Sequence, residues 1–276
     1  MTIASGVRKT GSTSAASLLF TLLGEYLRDN DQKPWTSTFV RALGALDYEE
    51  PAARKAISRA SADGWLESER MGRRVRWQLS EKAVQHFREA EVIAYNRHQP
   101  PEWNGTWFLL FTSIPENQRE LRHQLRTQLR WKGFGPVGGG VWISPAADAE
   151  RLASDVLREL DISRNSFSFA GQFGTLGDEY EMVQRAWDLK LLAQEYADFD
   201  TQMNRFSCNS NPEMAFIHYT VLVHSWRRLV LSDPNLPAEL LPARWVGVDV
   251  TARFFAMRDE LGPTAIQWFW QDDVCR

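Results

Sequence analysis

Seven basic side chains lie within residues 51–76, against three acidic ones, although the whole chain has a net charge of −3. Such a local excess of positive charge can bind a polyanion, because cations that neutralise phosphates release condensed counterions. An ordinary solvated surface explains the charge equally well, so charge alone leaves both interpretations open. The basic residues are Arg54, Lys55, Arg59, Arg70, Arg73, Arg74 and Arg76.

A second group of arginines is spaced three, four and four residues apart. On a helix this spacing puts them on one face, beside a face that carries Leu121, Leu125 and Leu129. The row could bind the phosphates of DNA or of a phosphorylated small molecule, and a solvated side of an amphipathic helix is the alternative. The row consists of Arg119, Arg122, Arg126 and Arg130.

Motifs for catalysis and metal binding are missing or misplaced. No two histidines have HExxH spacing, neither Cys208 nor Cys275 has a CxxC partner, and no GxSxG motif is present. Residues 133–138 match GxGxxG, but a predicted helix precedes them and a predicted strand follows, the reverse of a dinucleotide site. We therefore expect no enzyme activity, no catalytic residues, no metal and no cofactor.

The composition, with 43% hydrophobic and 24% charged residues, is that of a globular protein. No apolar run approaches the roughly 20 residues that span a bilayer, and the N-terminus does not resemble a secretory signal. Two cysteines suit a reducing compartment. The sequence thus predicts a cytoplasmic protein without membrane contact, and residues 1–13, rich in Gly, Ser and Thr, are expected to form a mobile tail.

Hydrophobic spacing predicts three helices at the N-terminal end of the chain. The first covers Ser14–Arg28, the second is capped by Thr36, and the third begins near Pro51. Two strands follow, Trp65–Arg70 and Val75–Leu79, and Ser80 caps a fourth helix that runs to about Arg97.

This order of elements predicts a winged helix-turn-helix domain. Its third helix would enter the major groove, while the tip of the hairpin reaches the backbone or the minor groove. Because the basic residues of 51–76 fall on that helix and that hairpin, DNA binding is favoured over a merely solvated surface. The outward side of the third helix also carries Ser58.

Beyond a proline-containing linker, His98–Pro101, the predicted order is strand, helix, strand, helix, strand, as in a ferredoxin-like α/β plait. From Asp178 onward the pattern is helical, with a last helix near Val248–Leu261. The predicted fold class is therefore α+β and multidomain. The predicted domains are a winged helix (1–97), a linker (98–104), a ferredoxin-like domain (105–175) and a helical C-terminal domain (176–276).

Three separated motifs identify a family. They are GWLESERMGRRVRWQLSEKA (64–83), WFLLFTSIPE followed by LRWKGFGPVGGGVWISP, and SWRRLVLSDPNLPAELLPARWVG (225–247). Together they resemble the PaaX-type repressors of phenylacetic acid degradation, and the resemblance covers the chain from Leu18 to about Leu261.

The resemblance implies a dimeric bacterial transcription regulator with a Cas2-like central domain. Such a protein would repress phenylacetate catabolic genes and leave its operator DNA when phenylacetyl-CoA or a related aryl-CoA binds. By resemblance, the recognition helix falls on Pro51–Ala62, with Arg54, Lys55, Ser58 and Arg59 near DNA. The wing falls on Arg70–Arg76, with Arg73 and Arg74 at its turn. The resemblance carries no effector-pocket motif that can be transferred residue by residue.

A different class of function is a metal-dependent nuclease that uses the Cas2-like domain. Cas2 nucleases hold their metal with an aspartate at the end of the first strand, where this chain has Thr112-Ser113-Ile114-Pro115 and only Glu116 nearby. The departure disfavours a nuclease and favours a dimerisation or effector module. A winged helix that binds protein instead of DNA is a third alternative.

An aryl-CoA effector would need aromatic walls for its ring and cations for its phosphates. The arginine row of residues 119–130 could supply the cations. The tryptophan-rich C-terminal region, with Trp187, Trp226 and Trp245, could supply the walls.

Overall fold

The computed structural model describes residues 13–28, 32–96, 101–207 and 211–271. The chain is α+β, as the sequence predicts, and it divides into two compact units. One contains Met1–Asn96, Thr201–Arg227 and Ala252–Arg276; the other contains Arg97–Asp200 and Arg228–Thr251. The predicted mobile tail (but for Thr13), residues 98–100 of the linker, and both cysteines lie outside the described residues. The four-part division of the sequence into domains stays a prediction.

Four helices occupy the N-terminal part: α1 (Ala15–Leu22), α2 (Thr36–Ala45), α3 (Glu50–Ala62) and α4 (Glu81–Tyr95). Ser80 caps α4 as predicted, since its hydroxyl oxygen accepts from the Ala83 amide. The predicted cap of α2 is wrong. Trp35 holds the N-cap position without a side-chain bond, because the Thr36 hydroxyl instead bonds to the carbonyl of Val75 and the indole of Trp77.

One turn of π-helix, Leu23–Leu27, extends α1 toward Arg28, where sequence spacing predicts an unbroken α-helix. Position 24 in this turn requires glycine, because two side chains approach its backbone closely. A Cβ at that position would stand 2.8 Å from Nη1 of Arg227 and 3.0 Å from Cδ1 of Phe87. The absence of a side chain therefore allows the π-turn to pack directly against α4.

The predicted hairpin is confirmed as antiparallel strands β1 (Leu66–Met71) and β2 (Arg74–Leu79). Gly72 occupies the turn with φ of +63°, a conformation that glycine adopts without steric cost. A further backbone segment lies beside β2: the Trp77 amide donates to the Pro34 carbonyl, and Trp35 forms a bridge with Arg76. This segment anchors the hairpin to the start of α2.

A four-stranded antiparallel sheet of order β4-β5-β3-β6 forms the centre of the second unit. Helices α5 (Arg119–Trp131) and α6 (Ala149–Glu159) bury Leu125, Leu129 and Val156 against one of its faces. The glycine-rich region predicted as one extended segment is a hairpin, which completes the ferredoxin-like βαββαβ order. The strands are β3 (Thr106–Thr112), β4 (Gly135–Gly138), β5 (Val141–Ser144) and β6 (Ser166–Gln172).

The C-terminal part is helical, as predicted: α7 (Glu179–Ala186), α8 (Leu189–Met203), α9 (Pro212–Ser232) and α10 (Val246–Trp270). The predicted end of the last helix near Leu261 is wrong, because α10 continues through Pro263. Proline usually ends or kinks a helix. Here the turns beyond it carry Trp268, Phe269 and Trp270, all buried, and this burial offsets the cost of the missing backbone hydrogen bond.

Aromatic side chains from both ends of the sequence form one core within the first unit. Trp226 on α9 is fully buried, stacks on Phe254 of α10 at 4.2 Å between ring centroids, and donates its indole N–H to the Ala94 carbonyl on α4. Tyr26 stacks on Phe269 at 4.5 Å. The N-terminal helices thus bury their inner faces against α9 and α10.

Within the described residues, no helix is both long and apolar enough to cross a membrane.

Replacing Trp226 with alanine should lower the free energy of unfolding by about 3–5 kcal/mol, since it removes a large buried ring and leaves a cavity. The measurement is urea denaturation followed by circular dichroism. Leu231→Ala on the same helix, at a position that is 48% exposed, is the control and should change stability by less than about 0.5 kcal/mol. Equal losses for the two variants would contradict the placement of Trp226 in the core.

Candidate nucleic-acid interface

Helix α3 buries one side and exposes the other. Its buried residues are alanines and one isoleucine: Ala53, Ala56, Ile57 and Ala60. These small side chains let α3 pack closely on α1 and α2, and they leave the polar side of the helix outward. The four α3 residues predicted to contact DNA, Arg54, Lys55, Ser58 and Arg59, are all exposed.

Their positions on the helix differ. At 100° per residue, Lys55 and Ser58 lie near the middle of the exposed side, while Arg54 and Arg59 lie at its two edges, about 140° apart. Nε of Arg54 is 2.7 Å from Oε1 of Glu50, one turn earlier, in an exposed ion pair. Lys55 and Arg59 form no ion pair with any residue that the structure describes. Glu50, which sequence reasoning did not select, therefore orients one of the predicted contact residues.

The hairpin presents the second group of cations. Arg70, Arg73 and Arg74 are exposed, whereas Arg76 is half-buried. Arg73 stands at the turn beside Gly72 and has no partner among the described residues. Glu69, on strand β1, is held by Lys33 at 2.8 Å, and this hydrogen bond lowers the pKa of Glu69 and keeps it ionised.

Trp35 lies against strand β2, on the part of the hairpin nearer its turn. The guanidinium carbons of Arg74 and Arg76 lie 4.2 Å and 4.4 Å from its ring centroid, within cation–π range. The ring therefore restrains two of the four predicted hairpin contacts. Sequence reasoning missed Trp35 because it precedes a helix as an isolated aromatic, and only the pairing of residues 34 and 35 with β2 brings it to the arginines.

The four arginines of the row on α5 are all exposed, and they share one flank of the helix beside its buried leucines, as predicted. Arg122 donates to the Glu116 carbonyl at 2.7 Å. Among the described residues, none of the four forms an ion pair. By contrast, Arg151 and Arg158 on α6 are paired with Asp148 and Asp155.

Two of the three tryptophans predicted to line an effector pocket do not face open space. Trp226 lies in the core described above. Trp187 is 9% exposed, packs against Trp107, and leaves no room for a Cβ at Gly135. Only Trp245 is half-exposed, in edge contact with Tyr196. The prediction is wrong for Trp187 and Trp226. Both rings are buried between secondary-structure elements, where their large apolar area stabilises the fold.

The region where a Cas2 nuclease holds its metal carries no acidic cluster here. Strand β3 ends at Thr112. The amide N–H and the hydroxyl of Thr112 both donate to the carbonyl of Gly140. In the described ranges no three His, Cys, Asp or Glu side chains are grouped so as to hold a metal ion. The GxGxxG match follows α5 and runs into β4, so it does not form a phosphate-binding turn before a helix.

Comparison with known proteins gives matches of similar extent both in sequence and in structure. The chain is 29% identical over 266 residues to the transcriptional repressor PaaX of Escherichia coli (strain K12), covering 92% of this chain and 82% of that protein. It is similar in fold to the uncharacterized protein Rv0674 from Mycobacterium tuberculosis, with a TM-score of 0.63 and 21% identity. That likeness covers 92% of this chain and 99% of the other.

Three family models match consecutive parts of the chain. Residues 14–83 match the PaaX-like protein, residues 100–183 match the PaaX protein central Cas2-like domain, and residues 187–271 match the PaaX-like protein C-terminal domain. Since the three follow one another in order and together cover almost all described residues, the chain belongs to the PaaX family.

Proposed function

We propose that this protein is a transcriptional repressor that binds double-stranded operator DNA through α3 and the β1–β2 hairpin. The observation that carries the proposal is the exposure of cationic side chains on both elements. Arg54, Lys55 and Arg59 stand on the outward side of α3, and Arg73 and Arg74 stand at the hairpin turn. The name of the relative from Escherichia coli supports the same function.

The three N-terminal helices and the hairpin form a winged helix-turn-helix in this proposal. Helix α3 lies in the major groove, where Lys55, Ser58 and the flanking arginines reach base edges. The hairpin contacts phosphates, which position the protein without specifying sequence. The stacking of Arg74 and Arg76 on Trp35 reduces their conformational freedom before DNA binds.

The functional form is a homodimer. A two-fold pair places two recognition helices about 34 Å apart, one turn of DNA, so the operator contains an inverted repeat. The regulated genes encode phenylacetate catabolism, and the effector that releases DNA is phenylacetyl-CoA or a related aryl-CoA. The arginine row on α5 contacts the CoA phosphates. In support of this, its four exposed guanidinium groups form no ion pair with any acidic side chain among the residues that the structure describes.

Replacing Arg59 with alanine should weaken mainly the specific complex, and replacing Arg73 should weaken specific and random DNA alike. A bidentate contact to a base edge contributes about 1–3 kcal/mol of discrimination, whereas a phosphate contact contributes none. Fluorescence anisotropy with operator and scrambled duplexes at one salt concentration measures both. Arg158→Ala, which removes an exposed arginine from α6, is the control and should change neither affinity. An equal loss on both duplexes for Arg59→Ala would refute its role in base recognition.

Replacing Trp35 with leucine should weaken binding to operator and scrambled DNA by the same factor. Each exposed cation–π contact contributes about 0.5–1 kcal/mol, and its loss frees Arg74 and Arg76 to rotate. The same anisotropy titration measures the effect, with thermal melting to confirm the fold. Trp131→Leu, an exposed tryptophan on α5, is the matched control. Unchanged DNA affinity for Trp35→Leu would show that the two arginines do not depend on the ring.

Phenylacetyl-CoA should release the operator at lower concentration than free phenylacetate, which has no phosphates. The double variant Arg122→Ala/Arg126→Ala should raise the concentration of phenylacetyl-CoA needed by about tenfold or more, since charge-assisted hydrogen bonds are lost. Gel-shift titration measures release. The control is Arg151→Ala/Arg158→Ala, which removes two paired arginines from α6. If the α5 variant responds like wild type, the row is a solvated face.

A further inference from the structure

A small cleft lies within the first unit, between the π-turn that extends α1, helix α4 and helix α9. Its volume is about 200 Å³, which includes the part open to solvent. Phe87, Ala90 and Ala94 on α4 give it an apolar wall, and two arginines and two glutamates also line it. Drug-sized ligands occupy pockets of about 300–1,000 Å³, so this cleft suits a smaller molecule.

Three of the four charged side chains in the cleft already have partners. Nη2 of Arg28 is 2.8 Å from Oε1 of Glu91, and the carboxylate of Glu25 accepts hydrogen bonds from two tyrosine hydroxyls. Arg227 is different. It is half-buried, and it forms no hydrogen bond or ion pair with any residue that the structure describes. The cleft therefore contains one cation that no described acidic side chain neutralises.

The neighbours of Arg227 hold its guanidinium in place. Nη1 lies so close to the backbone of Gly24 that a Cβ there would stand 2.8 Å away. The guanidinium carbon is 5.8 Å from the centroid of the Phe87 ring. A guanidinium restrained in this way loses little further conformational freedom when it binds an anion. The backbone it approaches is a single π-turn, a feature that is frequent at functional sites.

We propose that this cleft binds a small monocarboxylate, with the carboxylate on the guanidinium of Arg227 and a short apolar group against the α4 wall. The planar guanidinium presents parallel N–H donors that match the two carboxylate oxygens. Glu25 and Glu91 line the same cleft and disfavour a doubly charged anion, because each adds repulsion. The site is separate from the arginine row on α5, which belongs to the other unit, and it does not depend on DNA binding.

His86 on α4 provides a spectroscopic reporter of the site. Burial lowers the pKa of His86 most, and the positive charge of Arg227 lowers it further. Glu89 raises this pKa and Lys82 lowers it, but neither side chain lines the cleft. A carboxylate bound to Arg227 neutralises the guanidinium charge, so binding should raise the pKa of His86.

NMR titration of the full chain with ¹³C-labelled histidines tests the site. Sodium propionate should raise the pKa of His86, and sodium chloride at the same ionic strength should not. Sodium sulfate, which is doubly charged, should require about tenfold higher concentration for the same effect, because of the two glutamates. The signal of His123, exposed beside the arginine row on α5, is the internal control and should not respond to propionate.

Substitutions at Arg227 separate its charge from its shape. Arg227→Gln should start with a higher pKa of His86 than wild type and should not respond to propionate. Arg227→Lys keeps the charge but not the planar fork, so it should require about tenfold more propionate. Arg228→Gln removes the next arginine along α9, which is exposed, and should respond like wild type. Circular dichroism checks each fold, and Arg227→Lys decides if Arg227→Gln does not fold.

Four results would overturn the proposal. Propionate could leave the pKa of His86 in wild type unchanged, or the Arg227 variants could respond as wild type does. An equal response of His86 and His123 would show that carboxylates bind exposed cations without selection. Sulfate acting at the same concentration as propionate would rule out a site for monocarboxylates.

Discussion

Two hydrogen bonds tie the N-terminal helices to the last two helices of the chain. In one the donor lies on a C-terminal helix, and in the other it lies on an N-terminal helix. The indole of Trp226 on α9 donates to the carbonyl of Ala94 in the last turn of α4. Arg41 on α2 donates to the carbonyl of Phe269 in the last turn of α10, with its guanidinium over the ring of Trp268. Helix ends leave carbonyls without partners in the helix. Each part of the sequence thus donates a hydrogen bond to a carbonyl in the buried last turn of a helix from the other part. The aromatic core between the two parts keeps water away from these carbonyls.

Polar side chains inside this core fix how the helices are aligned. The carboxylate of Glu25, in the π-turn, accepts hydrogen bonds from the hydroxyls of Tyr95 on α4 and Tyr219 on α9. Burial raises the pKa of both tyrosines, so both stay protonated and act as donors. The guanidinium of Arg258 on α10 covers the ring of Tyr95 at 4.3 Å. Hydrogen bonds from α4 and α9 therefore meet at the Glu25 carboxylate of the π-turn, and a shift of either helix along its axis would break one of them.

Local patterning was sufficient to predict most elements, because each amphipathic helix and strand carries its own periodicity. It predicted the exposed side of α3 from the spacing of Ala53, Ile57 and Ala60, and the hairpin from Gly72 between alternating residues. It failed where contacts distant in sequence decide. Pro263 alone favours the end of a helix near that point, and only the burial of Phe269 explains why α10 continues beyond it. Trp226 suits a ligand pocket until the core between α4 and α10 is seen. Trp35 gains its role from strand β2, a neighbour that spacing does not select. Glu50 is different: it lies four residues before Arg54 on the same helix, so spacing could have identified that pair.

The shared core has a consequence for how regulators of this kind can diverge. Tyr26 and Phe39 pack on Phe269, so a fragment that ends near residue 97 would expose an aromatic surface that the intact chain covers. Recombination that exchanged such a fragment between regulators would leave that surface against a foreign partner. The outward residues of α3 have no part in this packing. Under the function proposed above, new operator preferences are therefore more accessible through point substitutions on one helix than through exchange of the whole N-terminal segment.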